Sequence, residues 1–201
     1  MLEMPDSLYL NLWFPSFSEA EMFSRLLCVL KQFPFSADRP GIGYVGVHSV
    51  GWDEPLVFQE SFDFRAQPEH AIQLASQFLH ADSAYVFETV WNLWTPDESN
   101  YDQWVLKPQP VKFIVHGTEF DNAGFQEHGH IQVDFGLDTP FLYEDMELTA
   151  LGEERVKQNV QKLVNFTQAL QKTCGITGRI LWSESEENLA QKLVSRLQRV
   201  Q

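Results

Sequence analysis

Two stretches of this chain run through the same order of elements, and that order limits the folds open to it. Residues 41–94 read as strand, turn, strand, helix, strand, and residues 111–182 repeat the series. In the first stretch, strands at 41–50 and 56–64 flank the turn Gly51-Trp52-Asp53-Glu54-Pro55. Pro68 suits the first turn of a helix whose inner stripe is Ile72, Leu74, Ala75, Phe78 and Leu79, and a strand follows from 85 to 94. In the second, strands at 111–120 and up to Phe135 flank a loop at 121–124. A long helix over 153–174 then presents Val156, Val160, Leu163, Val164, Thr167 and Leu170, and a strand spans 179–182.

A β-α unit precedes the first stretch. Leu8, Leu10, Leu12 and Phe14 alternate with Tyr9, Asn11 and Trp13, which is the period of a strand with one apolar side. Ser18 and Glu21 have the spacing of a capping box, and Phe17 is placed to staple onto Met22. Met22, Phe23, Leu26, Leu27, Leu30 and Phe33 continue at helical period until Pro34. A last helix carries Leu189, Ala190, Leu193, Val194, Leu197 and Val200.

The expected fold class is therefore α+β. It has two related units containing β-β-α-β, a mainly antiparallel sheet, and helices packed on one face. The first unit spans 1–95 and the second 111–201. Residues 96–110, with three prolines and an Asp-Glu-Ser-Asn cluster before them or among them, read as a connection. Each unit alone buries too little surface, so a shared core is expected.

Charge excludes one class of partner. Twenty-eight acids against 14 Lys and Arg give a net charge of −14, and such a chain repels nucleic-acid phosphates. No apolar run is long enough to span a bilayer, and the first six residues have no basic stretch or apolar run of a signal peptide. Cys28 and Cys174 are too few for a disulfide scaffold, and neither sits beside a His or Lys that would make a reactive thiolate. These features predict a soluble cytoplasmic protein. The charge is also uneven. Residues 119–154 hold ten acids and no base, while the chain from Arg155 onward is net positive. The acidic stretch, with Glu144, Asp145 and Glu147, reads either as a solvated loop or as a patch that recruits a basic protein.

One arrangement resembles a metal site. His128, His130, Gln132 and Asp134 share the face opposite Ile131, Val133 and Phe135, and His116 lies on the polar side of the preceding strand. Keeping like faces together pairs His116 with His130, Thr118 with His128, and Lys112 with Asp134. Histidines on directly opposed positions can share an ion, so His116, His128, His130 and Asp134 are candidate zinc or iron ligands. The alternative is a solvated strand face that happens to carry histidines.

Gly41, Gly43 and Gly46 spell a dinucleotide fingerprint, but a helix precedes them and a strand follows, so no NAD site is expected. Six tryptophans are harder to bury, because each indole N–H needs a partner. Trp52 stands at a hairpin tip beside Asp53 and Glu54, the composition of a protein-binding hot spot.

Three readings follow. The preferred one is a non-enzymatic binding protein of the inhibitor or immunity type, using Trp52, Asp53, Glu54, Glu144, Asp145 and Glu147 against a basic partner. The second is a metal-dependent enzyme built on the histidine cluster. The third is a small-molecule-binding regulatory module with an aromatic pocket between the two units. The first is preferred because the sequence shows no nucleophile motif, phosphate loop or closed metal motif.

Overall fold

The computed structural model describes residues 6–100, 103–144, 146–184 and 188–198. The described strands are β1 (Ser7–Trp13), β2 (Ile42–Ser49), β3 (Phe58–Ala66), β4 (Ser83–Pro96), β5 (Trp104–His116), β6 (Ile131–Leu137) and β7 (Gly178–Ser183). The helices are α1 (Glu19–Gln32), α2 (Pro68–Ala75), α3 (Phe125–His128), α4 (Thr139–Leu142), α5 (Ala150–Thr173) and α6 (Leu189–Gln198). All seven strands join one antiparallel sheet in the order β3-β2-β4-β5-β6-β1-β7.

The fold is α+β, as the period switches in the sequence predict. Leu8, Leu10 and Leu12 of β1, Val45 and Val47 of β2, Tyr85 and Phe87 of β4, and Phe113 and Val133 in the centre all point to one side. There they meet Met22 and Leu26 of α1, Ala71 of α2, Phe141 of α4, Val160 and Leu163 of α5, and Leu193 of α6 in one cluster. At its centre the Trp91 indole stacks on Phe33 at 5.4 Å and on Phe135 at 5.2 Å, and Phe166 stands edge-on to both phenyl rings.

Local chemistry fixes the helix ends. Glu21 Oε2 accepts from both the N–H and the hydroxyl of Ser18, so the box predicted for α1 is present. Thr149 Oγ1 accepts from the N–H of Gly152 and starts α5.

The two units are not copies in their pairing. In the first, β4 returns to lie beside β2. In the second, β7 pairs with β1 and so does β6, which puts the N-terminal strand between them. The repeated order is a repetition of elements; duplication is not confirmed.

Much of the expected connection is also strand. Residues 104–110 extend β5 in register with β4, from Pro96↔Trp104 onward. Pro108 and Pro110 fit because of the ladder's alternation. Their β4 partners, Asn92 and Val90, turn their carbonyls away from β5, toward Lys162 Nζ (2.7 Å) and the Ser36 N–H (2.9 Å). The missing proline N–H groups therefore point to the open edge of β5, where no ladder bond is lost.

Beyond Glu88, β4 has no strand on its β2 side. Helix α5 fills that gap. Besides Lys162, the buried Asn159 gives its side-chain amide to Trp94, accepting from its N–H and donating to its carbonyl, both at 2.8 Å. Arg155 lies over the Trp94 ring at 3.8 Å.

Cys28 of α1 and Cys174 at the end of α5 form a disulfide, with Cα atoms 5.7 Å apart. Two cysteines do not make a scaffold, but they do pair with each other, a bond that the sequence did not indicate. Disulfides are rare in reducing compartments, so the pairing weighs against a cytoplasmic setting. No helix among the described residues is long and apolar enough to cross a membrane.

Candidate functional site

The site is built where β2 ends, β4 begins and β5 ends. On the sheet face away from the main helices, His48, Ala84 and His116 stand side by side on β2, β4 and β5. Ala84 is small, and the space above it admits an indole from the loop that follows β2. The Trp52 ring stands edge-on to His48 at 4.7 Å and to His116 at 6.1 Å, and to Phe120 at 5.0 Å.

The loop that delivers Trp52 is held at several points. The Val50 N–H donates to the Asp82 carbonyl at 2.8 Å, and the Val50 carbonyl accepts from the Asp121 N–H at 2.8 Å. Val57 N–H donates to the Val47 carbonyl at 3.0 Å and closes the loop onto β2. Val50 has φ +69°, and Asp121, Asn122 and Ala123 in the facing loop have φ +49°, +54° and +63°. A left-handed conformation costs a non-glycine residue roughly 1–2 kcal/mol, and a β-branched valine rarely adopts it. Four such residues meeting at one contact mark a place where the rest of the structure over-determines the backbone.

His116 is only 2% exposed, and its Nδ1 donates to the Gly129 carbonyl at 3.0 Å. Burial pushes its imidazole down to about 4, so it is neutral at pH 7. His48 is shifted downward by burial too, and its Nδ1 is buried without a hydrogen-bond partner.

The four metal candidates fall into one neighbouring pair and two separate residues. His116 and His128 are neighbours, with ring centroids 6.1 Å apart. The predicted register holds for two of its three pairs: Lys112 pairs with Asp134, and the His116 N–H donates to the His130 carbonyl, while Thr118 and His128 lie outside both strands. But β5 stops at His116 and β6 starts at Ile131, so His128 ends the short helix α3 and does not continue a strand. The His130 ring is stacked between Phe17 at 4.6 Å and Phe125 at 4.8 Å, and its Nδ1 accepts from the Phe14 N–H at 3.0 Å. Asp134 Oδ1 accepts from the Gly136 N–H at 2.8 Å. Among the described residues no three His, Cys, Asp or Glu side chains form a group that could hold a metal ion.

The candidate contact residues fall at two ends of the molecule. Trp52 is 40% exposed and is the one exposed tryptophan of the six. Asp53 and Glu54 are exposed beside it, and so are Val50 (59%), Leu56 (39%) and Val57 (52%). Glu144 and Glu147 follow α4, beyond the C-terminal end of β6. Since β6 runs opposite to β2, that is the other end of the sheet. Glu144 is paired with Lys192 at 2.6 Å. Asp145 lies outside the described residues, as does Val200 of the last expected helix.

His48 and the loop 117–124 were not legible as part of this site. The signal available for His48 was alternation: Val45 and Val47 face the core, which leaves His48 on the face of His116. Nothing in sequence places Asp121 against Val50, because that contact depends on consecutive left-handed residues with no glycine to announce them.

Comparison with family models, with curated proteins and with solved structures finds no match to this chain.

Proposed function

We propose that this chain is a non-enzymatic protein-binding module and that residues 50–57 form its contact surface for a basic partner. One observation carries the reading. Four large apolar side chains, Val50, Trp52, Leu56 and Val57, are exposed within eight residues, with Asp53 and Glu54 between them. Scattered single apolar residues on a surface are ordinary, but a contiguous group with a polar rim marks an interaction site. The arrangement has the parts of an interface centre: an aromatic anchor backed by Phe120 and two neutral imidazoles, on a loop already fixed by hydrogen bonds, so little ordering is needed on binding. The two carboxylates and the net charge of −14 favour a partner of opposite sign and speed its approach.

The experiment is site-directed photo-crosslinking in extract of the source cells. A photoreactive residue at position 56 should capture a basic protein, and the adduct should fade as salt rises. The same group at Leu151, exposed on α5, should not capture that protein. Equal capture from both positions, or none at 56, contradicts the proposal.

A further inference from the structure

We infer that a slot between β5, β6 and α4 binds a small, uncharged, apolar molecule carrying a hydrogen-bond donor. Strands β5 and β6 are paired only as far as Lys112↔Asp134. The next pair would be Pro110 and Gly136. Pro110 has no N–H to give. The Gly136 N–H turns back to the Asp134 carboxylate, and Gly136 takes a left-handed conformation with φ +73°. The strands part there and leave a cavity of about 540 Å³, within the size range of ligand pockets.

Leu93, Phe135, Leu137 and Pro140 supply its apolar walls. Thr95, Gln109 and Thr139 are its polar side chains, and none of its lining residues is ionisable. In a chain with 42 charged Asp, Glu, Lys and Arg side chains, such a lining selects against charge, because an ion entering it would lose hydration without gaining a counter-charge. One oxygen calls for a donor. The Pro110 carbonyl faces Gly136, 3.8 Å from where a Cβ on that residue would lie, and the glycine leaves the approach open. An added peptide strand is a poor occupant, since Pro108 and Pro110 deny this edge the N–H groups that strand pairing needs. An alcohol, phenol or indole suits it: an apolar body for the walls and one O–H or N–H for an oxygen.

The test uses three probes of one shape on the intact protein, followed by amide chemical shifts. Cyclohexanol carries a donor, methoxycyclohexane lacks it, and cyclohexanecarboxylate is charged. Cyclohexanol should shift the amides of Leu93, Thr95, Gln109, Gly136 and Leu137 and saturate, and the ether should bind about tenfold more weakly for want of one hydrogen bond. The carboxylate should not bind. Equal affinity for alcohol and ether, binding of the carboxylate, or no saturable shift at these residues overturns the inference.

Discussion

The side-chain amide of Asn159 pairs with both backbone groups of Trp94, the way a neighbouring strand would. It also donates to the Pro140 carbonyl at 2.8 Å, so one buried side chain ties α5 to the free edge of β4 and to α4. Removing it strands three polar backbone groups away from water. Asn159→Ala should cost about 3 kcal/mol of unfolding free energy. Denaturant titration checks the magnitude, and faster exchange of the Trp94 amide proton checks the location. A loss under about 1 kcal/mol would mean that water replaces the amide at no penalty.

Asn159 also shows where sequence reasoning stops. The helix that carries it was legible, since Val156, Val160 and Leu163 have the right period. An asparagine among them reads as a neutral surface residue until the edge of β4 is known to lie beside it. Register between β5 and β6 was legible for the opposite reason: a slip by one residue would turn Val133 and Phe135 outward, so only an even sum keeps both faces consistent. Residues 104–110 were misread because prolines argue against a strand in general, though not on an edge whose N–H side is open. The pairing of β7 with β1 joins residues far apart in the chain, and no local pattern encodes it.

Stability should fall on mild acidification through His116. Its folded value, about 4, lies below the ordinary 6.5 of an unfolded chain, so the fold favours the neutral ring. Above pH 6.5 both states are neutral and the stabilisation is complete. Between 6.5 and 4 the unfolded chain takes up a proton that the folded one refuses, and up to about 3 kcal/mol is lost. His48 and His130, lowered by burial as well, act in the same sense. Urea unfolding from pH 7.5 to 4 should show this slope, and His116→Gln should flatten it. A flat profile for the parent protein would show that His116 titrates normally.

Reduction should weaken the protein without rearranging it. The Cys28–Cys174 bond spans 146 residues, and a loop of that size restricts the unfolded chain by about 5 kcal/mol in the chain-entropy account. Intact mass should show the protein lighter by two hydrogens than its reduced form. Cys28→Ser with Cys174→Ser should lower the unfolding free energy while the amide spectrum of the sheet stays in place. Unchanged stability would contradict the pairing.

The prolines of β5 should act as guards against self-association. Restoring two N–H groups with Pro108→Thr and Pro110→Thr gives the exposed edge donors for a second chain. Light scattering should then show larger species at concentrations where the parent protein does not change size. A double variant of parental size would assign these prolines another role.

The most direct test of the binding proposal is affinity for the cross-linked partner, measured at low and moderate salt. Trp52→Ala should weaken binding by about 2 kcal/mol or more, roughly thirtyfold, as expected for a central aromatic anchor. Asp53→Lys with Glu54→Lys, at exposed positions, should slow association and reduce its dependence on salt while the fold stays intact. If Trp52→Ala binds as tightly as the parent, and the charge reversal leaves association unchanged, residues 50–57 are not the contact surface.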